Sequence, residues 1–130
     1  MDYLFNYAYD HKISIISTYL LPEEENCSSY PSKNMIIINM NLKNKKQLPF
    51  QIAHEIGHVL NNHDSMAPLY FTNSKNKIEF DANKTAIQIL ADFYIANSEE
   101  EYINPEQFMD TFDVLPHLHD EVYKYMNNKL

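Results

Sequence analysis

The sequence predicts an α+β fold, a small antiparallel sheet of about three strands packed on a bundle of helices. Two observations carry that expectation. Between Lys12 and Met40 the chain holds short β-branched and apolar runs broken by polar turns. From about Leu48 onward the apolar residues recur at helical spacing instead, and Pro49, Pro105 and Pro116 stand where helices can begin. A chain of 130 residues fits one domain, 1–130, long enough to bury a real core.

The elements follow in order. Asp2 is placed to cap a first helix over 3–11, with Leu4 and Ala8 on one side and Tyr7 near them. Residues 12–20, with Ile13, Ile15, Ile16 and Thr18, read as a strand. Pro22 and the three glutamates after it form a polar break. Residues 26–30 and 34–40 read as two strands joined by a turn at Pro31-Ser32-Lys33, and Met35-Ile36-Ile37-Ile38, apolar on both faces, makes the second the more buried. A helix begins near Leu48-Pro49, buries Ala53, Ile56, Gly57 and Leu60, and ends near Asn61-Asn62. After a loop containing Pro68, a long helix over 76–97 carries the stripe Ile78, Ala82, Ala86, Ile89, Phe93 and Ala96. Asn104-Pro105 is a cap followed by a first-turn proline. Pro116 opens the last helix, which buries Leu118, Val122 and either Tyr125 or Met126.

Composition narrows the function classes. Apolar residues at 45% and charged residues at 22% describe a globular chain, not a disordered one. A net charge of −8, with ten dispersed lysines and no arginine, disfavours direct nucleic-acid binding. Acidic residues thicken toward the end, from Glu99 to Glu121, which serves solubility or attracts a basic protein such as a DNA-binding one. The lone Cys27 permits no internal disulfide and reads as a small buried hydrophobe. Neither a signal peptide nor a bilayer-length apolar run is evident, so a soluble cytoplasmic protein with no membrane partner is expected. With a single glycine, Gly57, the left-handed turn positions fall to asparagine.

The chemistry is concentrated in His54-Glu55-Ile56-Gly57-His58, a match to H-E-x-x-H. Four residues of α-helix turn about 400°, so the two imidazoles lie about 40° apart on one face and can share one Zn²⁺. Glu55, beside the first histidine, is placed to take a proton from the attacking water and return it to the leaving amine. A catalytic zinc site needs a third protein ligand. Glu79, 21 residues after His58 near the start of the long helix, is the best candidate, and Asp81 faces elsewhere. Asn83, one turn beyond Glu79 on the same face, can hold the free ring nitrogen of a liganding histidine. The alternative third ligand is Asp64, ten residues after His54, with Ser65-Met66 only loosely like a methionine turn. Tyr70, His63, His117, His119 and Tyr94 are possible oxyanion donors that sequence does not rank, and His117 and His119 diverge from each other.

With both motifs placed, the chain resembles the ImmA/IrrE family of metallopeptidases, common in phages and mobile elements. The resemblance rests on Ile52-Ala53-His54-Glu55-Ile56-Gly57-His58-Val59-Leu60 and on Ile78-Glu79-Phe80-Asp81-Ala82-Asn83-Lys84-Thr85-Ala86. It implies a zincin-like helical bundle, His54, His58 and Glu79 as zinc ligands, and Glu55 as catalytic acid/base. It further implies a protein substrate, typically a helix-turn-helix repressor encoded alongside, or another regulator. The family often has Glu where Asp81 stands, and a Leu-Met-Pro-like stretch where this chain has Leu90-Ala91-Asp92. The competing expectation is a non-proteolytic zincin-fold module that holds a repressor or a toxin–antitoxin partner without cleaving it.

Overall fold

The computed structural model describes residues 1–62, 74–99 and 103–129. His63, Asp64, Ser65, Met66, Pro68 and Tyr70 lie outside the described residues. The order is helix α1 (Asp2–Asp10), strands β1 (Ser14–Thr18), β2 (Ser28–Tyr30) and β3 (Met35–Asn39), then helices α2 (Leu48–Leu60), α3 (Ser74–Ala96), α4 (Pro105–Thr111) and α5 (His119–Lys129). This is the predicted α+β class.

The sheet corrects the expectation of antiparallel pairing throughout. Its order is β1-β3-β2, and the sheet is mixed. β1 runs parallel to β3 with Ser14 opposite Met35, whereas β2 is antiparallel to β3 with Ser28 opposite Ile37. The apolar run of β3 takes the centre, where a strand needs a neighbour on each side. A short turn supplies one neighbour, β2, through a single 3₁₀ turn over Pro31–Lys33 and left-handed Asn34. The other neighbour, β1, lies parallel, which the longer connection through β2 permits. Within β3, Ile36, Ile38 and Asn39 are buried, and in β2 no residue is.

Helix ends differ in detail from expectation. Met1, not Asp2, holds the N-cap position of α1, and no side chain caps it. Asp2 instead lies in the first turn, where its charge suits the helix dipole. Asn104 does cap α4, its side chain accepting from the Glu106 N–H at 2.9 Å, with Pro105 directly after it. Pro116 opens a 3₁₀ turn that leads into α5, and Met126 is the buried member of the Tyr125/Met126 pair.

The core gathers Leu4 and Ala8 of α1, Ile36 and Ile38 of β3, Ile52, Ala53 and Ile56 of α2, and Ala86, Ile87 and Leu90 of α3, with Phe108, Val122 and Met126 closing the far end. Three expected core positions are exposed, Leu60, Phe93 and Ala96. Leu60, in the last turn of α2, is 39% accessible, and Phe93 near the end of α3 is 36% accessible, lying flat on Tyr3 with ring centroids 3.5 Å apart. At about 35 Å, the 23 residues of α3 outrun the core they cover, so the stripe emerges at its end.

Backbone geometry explains the glycine economy. Positive φ occurs at Lys12, Asn34, Asn62 and Asp113 among the described residues, so asparagine does serve two of these positions. Gly57 has an ordinary helical φ and serves another purpose, the close approach of α2 to α3. Fully buried Asn39 ties the loop before β2 to the sheet. Its Nδ2 donates to the carbonyls of Pro22 at 2.8 Å and Glu25 at 2.7 Å. That tie sets Cys27 beside α2, where its N–H donates to Gln51 Oε1 at 3.0 Å. Among the described residues no helix is long and apolar enough to cross a membrane.

Candidate metal centre

The predicted residues converge. His54 and His58, one turn apart on α2, turn their Nε2 atoms toward each other at 3.1 Å. Glu79 reaches across from α3, with Oε2 3.0 Å from His54 Nε2 and Oε1 3.1 Å from His58 Nε2. One ligand atom from each of the three lies within 4.8 Å of the others. The four zinc ligands of a tetrahedron with bonds near 2.0–2.1 Å stand about 3.3 Å apart along each edge, so the spacing already suits one small cation.

Protonation chemistry supports the fit. His54 Nδ1 lies 2.7 Å from Asn83 Oδ1. An amide oxygen can only accept, so Nδ1 carries the hydrogen and neutral His54 presents the lone pair of Nε2 to the centre. Without a cation, protons take its place. Burial opposes a charge on His54, but the hydrogen bond to Glu79 and the nearby Glu55 charge outweigh it and raise its pKa. Hydrogen bonds from His54 and His58 hold the Glu79 carboxyl well below the usual carboxylate range. Two nitrogens and a carboxylate oxygen that share protons in this way form a donor set for a divalent cation.

Glu55 differs from Glu79. It is 8% exposed, and its Oε2 is buried with no hydrogen-bond partner. Burial pushes its pKa from 4.5 up to about 7, with the two histidines pulling the other way. A desolvated, under-bonded carboxylate next to convergent ligands costs stability and is the kind of feature that marks a functional site.

Residues 8–122 match the family model of the IrrE N-terminal-like domain, a peptidase family. The chain belongs to this family. No curated protein and no solved structure matches it significantly. Membership and geometry together make this a metallopeptidase-type domain in which His54, His58 and Glu79 could hold a metal ion.

A cleft of about 480 Å³ opens over the three residues. Glu55 and Asn83 line it, as do Gln47 at the N-cap of α2, Gln51 on α2, and Asn26 and Cys27 before β2, with Phe50, Leu115 and His117 completing the wall. Gln51 bridges the amides, donating to Asn26 Oδ1 at 3.1 Å and Gln47 Oε1 at 3.2 Å. The two glutamines were open to discovery, because they precede His54 by seven and three residues on the same helical face. Asn26 and Leu115 come from remote segments and left no such signal. Of the possible oxyanion donors, His117 lines the cleft. His119 instead pairs with Glu106 at 2.8 Å, and Tyr94 packs on Phe108 and Phe112, so neither lines it.

The Asn83 contact makes a separate prediction. Asn83→Ala leaves all three ligand atoms in place but releases the His54 ring, so metal affinity should fall by about 10–100-fold with little change in fold. Competition with a chromogenic chelator measures it, and unchanged affinity would show that Asn83 does not orient the ligand.

Proposed function

We propose that the chain is a zinc-dependent endopeptidase, one zincin-like domain over 1–130, that acts in the cytoplasm on a protein regulator. The regulator of choice is a helix-turn-helix repressor of a phage or mobile element. What carries the reading is the buried carboxylate of Glu55, its pKa near 7, beside three convergent ligand atoms at the floor of an open cleft.

His54, His58 and Glu79 would hold the zinc, and Asn83 would fix the His54 tautomer. Zinc bound there would supply a Lewis acid that polarises the scissile carbonyl and activates water for attack. The remaining work falls to the protein. Glu55, poised near neutral pH, accepts the proton of the attacking water and hands it to the amine that leaves. The amide belt of Gln47, Gln51 and Asn26 offers hydrogen bonds to an extended peptide backbone, while Phe50 and Leu115 offer an apolar wall for a side chain. A chain of net charge −8 attracts a basic DNA-binding protein and repels DNA itself.

The test mixes candidate helix-turn-helix repressors with the zinc-loaded protein. Discrete fragments should appear, stop on addition of 1,10-phenanthroline and return when zinc is restored. Capture of an intact repressor, indifferent to the chelator, would favour the binding-module reading instead.

A further inference from the structure

A second cavity, of about 410 Å³, lies where α1, α3 and α5 meet. Half of its lining is aromatic, Tyr3 and Tyr7 from α1, Phe93 from α3 and Tyr125 from α5, with Thr85, Gln88 and Ile89 of α3 between them. Asp92 on α3 is the charged residue of this lining, and no lysine or histidine among the described residues lines it. Thirteen residues separate Asp92 from Glu79 on the same helix, about 20 Å along the axis, so Asp92 lies far from the metal centre, although Thr85 at the other end of the cavity packs near Gly57.

The walls are held in place by their own contacts. Tyr3 stacks on Phe93 with an interplanar angle of 7°, and the buried Tyr3 hydroxyl has no hydrogen-bond partner. Tyr125 donates its hydroxyl to Asp92 Oδ1 at 2.6 Å. Burial, reinforced by the Asp92 charge, raises the pKa of both Tyr7 and Tyr125, so their rings stay neutral and electron-rich on the π face. The Lys129 ammonium, one helical turn further along α5, lies 5.5 Å from the Tyr125 ring centroid and does not line the cavity.

The ligand class follows from these groups. An anion would be repelled by Asp92. A bare divalent cation would want several charged or carbonyl oxygens, and the lining offers one carboxylate and the Gln88 amide, the remaining oxygens being hydroxyls. A neutral apolar group would leave the carboxylate unused. Aromatic rings beside a carboxylate that has no ion pair among the described residues are surroundings that favour an organic cation on the ring faces left open by the stacking of Tyr3 on Phe93 and of Tyr7 on His11. The net charge of −8 draws basic proteins toward this surface as a whole. We propose that this cavity is a docking site for a lysine or arginine side chain presented by a protein partner. It does not depend on the peptidase reading, since no residue of the metal centre lines it.

Titration of the full isotope-labelled chain with Nα-acetyl-lysine methylamide, followed by NMR, tests the idea. Saturable shifts confined to residues around Tyr7, Asp92 and Tyr125 are expected, with the norleucine analogue giving none. Asp92→Asn should weaken binding at least fivefold, and Tyr7→Leu gives a second reading should the first variant fold poorly. Equal shifts with norleucine, or no loss in either variant, would overturn the proposal, as would absence of saturable shifts. Tetramethylammonium binding tenfold tighter than a lysine-containing peptide would overturn the assignment to a protein side chain.

Discussion

Glu55→Gln is expected to remove cleavage of the proposed repressor substrate, by about 10²–10⁴-fold, without loss of bound metal. Glutamine keeps the size of the side chain and cannot accept the proton. The same substitution should make the metal-free protein more stable at neutral pH. Glu55 titrates near 4.5 when exposed and at about 7 when folded. Between those values the folded state holds a proton that the unfolded state has released, so stability falls as pH rises through this window and then stays low. Glutamine escapes that penalty, which is on the order of 3 kcal/mol before any relief by water reaching the site. Melting curves in EDTA at pH 4 and pH 8 should therefore coincide for the two proteins at the lower pH and separate at the higher. A variant that loses cleavage but gains no stability would show that Glu55 is not the strained carboxylate described above. One that still cleaves would end the general-base role.

The site was legible in the sequence because its parts obey short-range rules. His54 and His58 are four residues apart on α2, and Glu79 and Asn83 are four apart on α3, so helix geometry alone puts each pair on one face. Docking one face on the other then needs a single long-range fact, the packing of α2 on α3. Strand direction had no comparable local signal. Alternation in residues 14–18 and 35–39 gives faces but not polarity, and polarity was decided by which neighbour β3 could reach through a short turn. The same limit hid Leu60, since periodicity names a face without saying whether anything covers it. Asn39 was hidden for a related reason. Its value lies in the carbonyls of Pro22 and Glu25, which a reading of the strand alone does not contain.

Gly57→Ala should damage both fold and site, although alanine is the better helix former by about 1 kcal/mol. A Cβ at Gly57 would lie 2.8 Å from the Ala82 carbonyl oxygen, 3.1 Å from Ala82 Cα and 3.1 Å from Thr85 Cβ. Two of those atoms are backbone in the middle of α3 and cannot rotate aside. The helices must therefore move apart, at a net destabilisation of roughly 1–3 kcal/mol. The contact lies beside the metal centre in both helices: Gly57 adjoins His58, and Ala82 lies between Glu79 and Asn83. Separation at this point draws the Glu79 carboxylate and the Asn83 amide away from the imidazoles together. Metal affinity should fall by more than the 10–100-fold expected for Asn83→Ala, because a ligand is displaced as well as its support. Melting in EDTA isolates the packing loss, and chelator competition isolates the loss at the centre. Unchanged values in both would mean that α2 and α3 do not meet at Gly57, and the third ligand would lose the element that delivers it.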